Sequence, residues 1–399
     1  MKNIVVAGAG FAGMWAALAG ARQAALSGVE VSIQLISPTA HLTIRPRLYQ
    51  SNPQALAVPL HRTLQPVGVE HVAATVRSID AVNKCLNATD DQGVIRDLPY
   101  DSLVLAMGSQ VEMPEIAGLK THGFAIDDFQ TAVHFDQHLA TKAIISGLDT
   151  IVIIGGGFCG IEIALEMRGR LSEHLGVDRA RNARVVLVDN QSIGGPLGEQ
   201  ALPVIRAALE SANIECREHA CIVEVRKDQV VFDDGTEIKT DTVLNTAGLR
   251  AHPITSTLNL PQDSSGRLKV DDHLRAADHL FAAGDVAAAF ADDDHLALMS
   301  CQHAMPMGKC AGANAVLDLV AEPLLVYRQP DYVTCLDLGE AGALLTRGWD
   351  RQLVMAGQEA KGLKNQINNQ WIYPPMDDAS LILEAAAMDW HPSRGQLKN

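Results

Sequence analysis

Apolar, β-branched runs alternate along this chain with longer alanine-rich stretches, and one such alternation occurs twice. Ile4-Val5-Val6-Ala7 leads into Gly8-Ala9-Gly10-Phe11-Ala12-Gly13, and Ile151-Val152-Ile153-Ile154 leads into Gly155-Gly156-Gly157-Phe158-Cys159-Gly160. Each copy reads as a buried strand, a GxGxxG turn and the start of a helix. A second apolar run follows each helix, Val31 to Ile36 and Arg184 to Val188. Two βαβ units predict two nucleotide-binding domains on one chain. Shorter alternating runs with turn signals, such as Gln229 to Ile238 around Asp234-Gly235, read as antiparallel strands. An apolar strand ending at glycine closes each unit, at Gly108 and at Gly248. Beyond about residue 320 the pattern becomes further strands, a helix near 357–372, the stop Pro374-Pro375 and a last apolar helix over 379–390 behind Asp377-Asp378.

The chemistry of the loops follows from their glycines. The first permits the tight turn, the second lets backbone N–H groups approach a pyrophosphate, and the third lets the helix pack on the strand. The helix N-terminus then presents its positive dipole end to the phosphates. Asp189, at the end of the second strand of the second unit, suits the two ribose hydroxyls of NAD and repels the extra phosphate of NADP. It lies further from Gly160 than the usual spacing of about 20 residues, so the helix between them must be extended. The matching place in the first unit holds Ser37 before Pro38, which keeps one hydrogen bond and loses the bidentate contact. Asp285, in Ala283-Gly284-Asp285, is a strand-end carboxylate placed to accept from a ribityl hydroxyl or to cap the next helix.

Composition narrows the partners. Among 399 residues, 32 Lys+Arg against 47 Asp+Glu give a net charge of −15, which repels nucleic acid and anionic lipid alike. Seven scattered cysteines with no CxxC form neither a disulfide framework nor a zinc ribbon. The histidines show no HxH or HExxH spacing, so no metal is expected; His303 reads as a buried, satisfied side chain. The N-terminal strand does not read as a signal peptide, and no apolar run is long enough to span a bilayer. The expectation is a reduced, cytoplasmic protein, soluble or at most peripheral on the inner face of the membrane.

Taken in order, GxGxxG, Ala106-Met107-Gly108, a second GxGxxG followed by Glu162 and Glu166, Asp285 and then Cys301-Gln302 resemble the flavoproteins with two dinucleotide-binding domains. The chain is most similar to the type II NADH:quinone oxidoreductases and their soluble relatives. Ser37-Pro38-Thr39-Ala40-His41-Leu42-Thr43-Ile44-Arg45-Pro46-Arg47-Leu48-Tyr49-Gln50 is similar to the family stretch that runs from the FAD ribose to the flavin ring. The resemblance implies an α/β fold with two Rossmann-like domains and a small C-terminal α+β segment. It places FAD on 1–112 with 249–321, NAD(H) on 113–248, and dimer or membrane contact on 322–399. It further implies that Gly8, Gly10, Phe11, Ala12, Gly13, Ser37, Arg45, Pro46, Val76, Ala106, Gly108, Gly284, Asp285 and Cys301 contact FAD. Gly155, Gly157, Gly160, Glu162, Asp189 and Gly248 would contact NAD(H), with Glu166 and Gln302 beside the reacting rings. Where Cys301 stands, the family usually has alanine. The implied activity is hydride transfer from NADH to flavin N5, then two electrons to a quinone-like acceptor.

Three other readings stay open on the sequence. Cys159 and Cys335 fall where sulfide-oxidising relatives carry reactive thiols, although a small turn residue and a core residue explain them as well. A redox sensor that scarcely turns over, and a soluble tailoring reductase, would carry the same loops. In the tail, Leu363, Ile367 and Trp371 lie on one helical face with Lys361 and Lys364 beside them, an interfacial pattern. The acidic Asp377, Asp378, Glu384 and Asp389 favour packing or dimerisation over lipid.

Overall fold

The computed structural model describes residues 1–145 and 150–390. The first βαβ unit forms a six-stranded sheet in the order Arg275–Ala277, Leu280–Ala282, Ser102–Leu105, Lys2–Ala7, Val31–Ser37, Glu70–Ala73. All pairings are parallel except that of the two outer strands Arg275–Ala277 and Leu280–Ala282. The second unit forms a five-stranded parallel sheet, Gly123–Phe124, Val243–Asn245, Thr150–Ile154, Arg184–Val188, Ile214–Arg217. In both, the strand that feeds the glycine loop lies centrally, between the second strand of its unit and the strand that ends near Gly108 or Gly248. Buried on both faces, these strands read as continuous apolar runs, and Ile4 to Ala7 and Ile151 to Ile153 are indeed shut off from solvent.

Each unit also carries a three-stranded antiparallel sheet, over 75–99 and over 222–239. A short antiparallel ribbon, Ser109–Val111 against Leu249–Ala251, marks where the chain leaves the first unit and returns to it. The C-terminal segment is a three-stranded meander, Val333–Asp337, Ala343–Arg347 and Gln352–Gly357, followed by the helix Gln358–Gln366 and a π-type turn over Ile367–Trp371.

The loop helix Phe11–Ser27 is apolar and buried on all sides over Phe11 to Gly20, where the helix Cys301–Leu319 lies directly against it. A Cβ on Gly308 would stand 2.2 Å from the Ala12 carbonyl oxygen, and one on Gly312 1.9 Å from that of Ala16. Only glycine permits that approach. Lys309, between them, is buried with its ammonium 4.7 Å from the Trp15 ring and 5.0 Å from the Trp390 ring. It donates to the carbonyls of Ala387 (3.1 Å) and Trp390 (3.2 Å). That contact explains why the last helix is shorter than its apolar pattern: it runs Ala379–Ala385, capped by the Asp378 side chain, and the following carbonyls turn to the lysine. The expected extension between Gly160 and Asp189 is the long helix Phe158–Leu175 plus a short one, Val177–Asn182. Among the described residues no helix is long and apolar enough to cross a membrane.

Candidate functional site

The two glycine loops share one geometry. Gly8 and Gly155 both have φ +106°, closed to L side chains. A Cβ on Gly13 would sit 1.8 Å from the Gly8 oxygen, and one on Gly160 1.7 Å from the Gly155 oxygen. The middle glycines, Gly10 and Gly157, behave differently: among the described residues nothing lies within 4 Å of a Cβ on either. Both cap the following helix with no side chain on its first amides. Each loop therefore presents a cleared cradle below unpaired N–H groups, which fits the pyrophosphate of a dinucleotide.

Their surroundings differ. Phe11 is 7% exposed and Ala12 is buried, enclosed by Gly284 and Gly308, whereas Phe158 is 37% exposed and Cys159 lies at an exposed position. Gly108, Gly248 and Gly284 all have positive φ at the ends of strands that converge on the two cradles, and the Ala106 carbonyl closes under Gly8. At the second strand of each unit the contrast repeats. Ser37 is buried, with its hydroxyl donating to the Thr39 carbonyl at 2.5 Å beside His71. Asp189 accepts from the amides of Gly156 (2.6 Å) and Gln191 (2.7 Å). Val76 is a buried strand residue of the sheet over 75–99, brought next to Ser37 by the Ala74 amide, which donates to the Ser37 carbonyl.

Beyond the first cradle, Asp285 accepts from the Ser109 hydroxyl at 2.6 Å and from Arg45 Nη1 at 3.3 Å. Arg45 also donates to Ser109 (2.9 Å) and stands 3.8 Å from Asp127. Pro46 follows in the same short 3-10 turn. The fold thus joins Arg45, Pro46 and Asp285, distant in sequence, at one place. Asp285 lies in the turn Gly284–Val286 and caps no helix.

The helix of the second loop carries the carboxylates inward. Glu162, 4% exposed, accepts from Lys364 Nζ (2.8 Å) and from the Asp337 amide (2.9 Å). Burial raises its pKa to about 7, against the pull of Lys364. Lys364 also donates to the Cys335 carbonyl at 2.7 Å. Burial alone would lower the lysine, but Glu162, Cys335 and Asp337 together outweigh it and raise the ammonium above the usual range. One turn on, Glu166 accepts no hydrogen bond among the described residues; burial and Asp337 push its pKa up. Lys361 pairs with Asp337 at 2.5 Å, so both lysines of the supposed interfacial stripe turn into the protein instead.

Gln302 lies in the first turn of the helix Cys301–Leu319, and its amide pairs with the backbone of Val333, donating at 2.6 Å and accepting at 3.2 Å. His303 is buried and half satisfied: Nδ1 meets Gln329 at 3.0 Å, while Nε2 has no partner among the described residues. Desolvation lowers its pKa to about 4, so it is neutral. Desolvation by the surrounding protein raises the thiols of Cys159, Cys301 and Cys335 to about 12, 11 and 11, Cys159 included although that residue reaches the surface. None is the electropositive thiolate that sulfur chemistry uses. Among the described residues no group of three His, Cys, Asp or Glu could hold a metal ion.

Sequence reasoning missed Tyr49, Ser109, Asp127, Asp337, Lys361 and Lys364 as members of this cluster. Lys361 and Lys364 did stand out as a helical pair, but their spacing cannot say which way they face.

The sequence pattern of one family, described as pyridine nucleotide-disulphide oxidoreductase, matches residues 2–308. A NADH dehydrogenase-like protein of Mycobacterium tuberculosis is 43% identical over 397 residues, covering 97% of this chain and 98% of its own. A type II NADH:quinone oxidoreductase of Staphylococcus epidermidis is 25% identical over 93% of this chain and 95% of its own. Among solved structures, the sulfide:quinone oxidoreductase of Aquifex aeolicus superposes with a TM-score of 0.74 at 16% identity, covering 93% of this chain and 91% of that one. At that identity the likeness is one of fold alone. The paired cradles and the full-length relative agree: this chain belongs to the pyridine nucleotide-disulphide oxidoreductase family.

Proposed function

We propose that the protein is an FAD-dependent NADH dehydrogenase that passes electron pairs to a quinone-like acceptor. The observation that carries this reading is the pair of equivalent cradles in unequal surroundings. The first is walled in by a second helix and suits a cofactor that never leaves; the second lies open and suits a nucleotide that exchanges each turnover. FAD then occupies the cradle of Gly8, Gly10 and Gly13, with Arg45, Pro46, Ala106, Gly108, Gly284, Asp285 and Cys301 around it and Ser37 and Val76 towards its adenosine end. NADH occupies that of Gly155, Gly157 and Gly160, with Gly248 beside it and Asp189 at its adenosine ribose. When bound, the isoalloxazine supplies the chemistry, taking up a hydride and releasing two electrons.

The chain supplies orientation and charge. The amides of the two helix N-termini hold the pyrophosphates, and their dipoles favour the negative charge. Asp189 accepts from ribose hydroxyls and opposes a 2′-phosphate. Asp285, fixed by Ser109, accepts from the ribityl chain while Arg45 balances its charge. No side-chain base is needed for hydride transfer. A quinone needs protons as well as electrons, and the Glu166 carboxyl, raised by burial and Asp337, holds one nearer neutral pH than an ordinary glutamate. Gln302 is anchored on Val333, the first residue of the strand whose last residue, Asp337, bonds to Glu162. Glu162 faces Lys364, so its role is to shape the nicotinamide side rather than to reach the cofactor freely.

The relatives named NADH dehydrogenase-like and type II NADH:quinone oxidoreductase support the reading over their whole length. The raised thiols tell against sulfide oxidation through Cys159 and Cys335. The test is anaerobic rapid mixing of the purified yellow protein with NADH, NADPH and sulfide in turn, then with a soluble quinone. Bleaching by NADH and rapid recovery with quinone is expected. A colourless protein that stays so with added FAD, or bleaching by sulfide alone, overturns the proposal.

A further inference from the structure

One residue of the C-terminal meander holds both sides of the proposed reaction site. Asp337 is 2% exposed. Its carboxylate accepts from the Tyr49 hydroxyl at 2.9 Å, from Lys361 Nζ at 2.5 Å and from the Gly339 amide at 2.8 Å. Its own backbone amide donates to Glu162 Oε1 at 2.9 Å. Tyr49 lies four residues after Arg45 in the segment that carries Arg45 and Pro46. Glu162 lies in the first turns of the helix that opens at the second cradle. The carboxylate of Asp337 therefore grips the flavin-side segment, and its amide grips the nicotinamide-side helix.

We propose that Asp337, through Tyr49 and Glu162, is a positioning residue that sets the nicotinamide-side helix against the flavin-side segment. The inference rests on the function proposed above and adds what fixes its geometry.

The other links between the two segments are exposed, weaker or indirect; Ser51 reaches Glu173 of the same helix at 3.0 Å, but at an exposed site. Arg170, in the same helix as Glu162, reaches the Tyr49 carbonyl at 3.3 Å, but its guanidinium is held mainly by Asp136 at 3.0 Å and over the Phe135 ring. The other partners of the Tyr49 hydroxyl, Gln50 and Asn368, donate to it at 3.3 Å. Neither comes from the nicotinamide-side helix, so neither can replace the link. The bonds to Asp337 are buried and, on the Tyr49 side, charge-assisted, the class least tolerant of a lost partner. Hydride transfer depends on donor and acceptor held within a fraction of an ångström. A loosened clamp should then slow transfer within the complex while leaving the second cradle, and hence NADH affinity, as it was.

The variants are Y49F, which removes one hydroxyl, and D337A, which removes the carboxylate. Arg62→Ala, at an exposed ion pair with Asp377 on another face, controls for general loosening. Flavin bleaching is followed anaerobically over a range of NADH concentrations, with the long-wavelength absorbance of the reduced flavin in contact with NAD. For Y49F and D337A the expected result is a limiting bleaching rate lower by about tenfold to a hundredfold, a weakened long-wavelength band, and an NADH dissociation constant within about twofold of wild type. R62A should change none of the three. A limiting rate and band unchanged in Y49F, or a dissociation constant that rises as far as the rate falls, overturns the proposal. If D337A does not fold, Y49F decides alone. Wild-type flavin that NADH never bleaches refutes the proposed function itself; wild-type bleaching matched by Y49F refutes only the positioning role.

Discussion

The two dinucleotide units of this chain have the same loop and opposite neighbours. Gly8 and Gly155 have the same φ, and Gly13 and Gly160 leave the same absence of room. The first helix is buried over its whole opening half and sealed on the helix Cys301–Leu319. The second exposes Phe158 and turns Glu162, Glu166 and Arg170 towards other segments. The loop alone decides that a pyrophosphate binds. What packs on the helix behind it decides whether the ligand stays or leaves. Phosphate recognition is local backbone chemistry; retention is a property of tertiary burial.

Filling each cradle separates the roles of the two loops. Gly10 and Gly157 have ordinary extended backbone and open space at Cβ, so alanine at either leaves the packing alone and intrudes only on the ligand. Displacing a pyrophosphate from charge-assisted amide bonds worth about 1.5–3 kcal/mol each lowers affinity by about tenfold to more than a hundredfold. Gly10→Ala should purify with little FAD yet keep its far-UV circular dichroism. Gly157→Ala should purify yellow and show a raised KM for NADH. If both variants lose FAD, or both keep it, the two loops do not have the separate roles assigned to them.

The acidic end of the second cradle gives a smaller effect. Asp189→Asn keeps the hydrogen-bond geometry to Gly156 and Gln191 in part and removes the charge. KM for NADH should rise by about tenfold, from the loss of a charged acceptor, and the ratio of KM for NADPH to KM for NADH should fall. Steady-state assays with both nucleotides decide it: an unchanged ratio would mean that Asp189 acts only as a turn cap.

The same contrast explains how much of the molecule was legible in the sequence. The duplicated strand, loop and helix were, because each is a run of neighbours whose periodicity and glycines report their own environment. The pairing of Asp285 with Arg45 was not, since 240 residues separate them. Lys364 is the clearest failure. A lysine beside Leu363 and Ile367 on a polar helix has the pattern of a surface or membrane-facing residue. Only the approach of a helix 202 residues away, bringing Glu162, turns it into a buried cation. The last helix was overextended for a related reason, since its apolar pattern could not show that Lys309 would take its final carbonyls. Periodicity identifies a face; it does not identify the partner.

Lys309 seals the first helix, so the strength of that seal depends on pH. Burial holds its pKa at about 8 instead of 10.5, with Asp389 pulling the other way. The unfolded chain therefore binds the proton more tightly between those values, and stability from this group rises with pH across that window. Below it the charged amine carries a desolvation penalty that the two indole rings and two carbonyls only partly offset. The unfolding free energy of wild type relative to Lys309→Met should climb by on the order of 2 kcal/mol from pH 7.5 to 10.5. Denaturant titrations of both proteins at several pH values measure it. A flat or falling difference would show that the ammonium is not desolvated and that the seal is looser than its geometry suggests.

The two cysteines discriminate between hydride and sulfur chemistry. Cys159 occupies in the second loop the place of Ala12 in the first, so Cys159→Ala makes the two loops alike at that point. Its thiol is raised to about 12 by burial and the nearby Glu162, and that of Cys335 to about 11. Near neutral pH neither is a nucleophile. Cys159→Ala and Cys335→Ser should each change the rate of flavin bleaching by NADH by less than about twofold, because hydride transfer as proposed uses neither thiol. A drop well beyond that in either variant, with bleaching by sulfide in the wild type, would return sulfur chemistry to the site. The open cradle would then serve an acceptor or regulator rather than the electron donor.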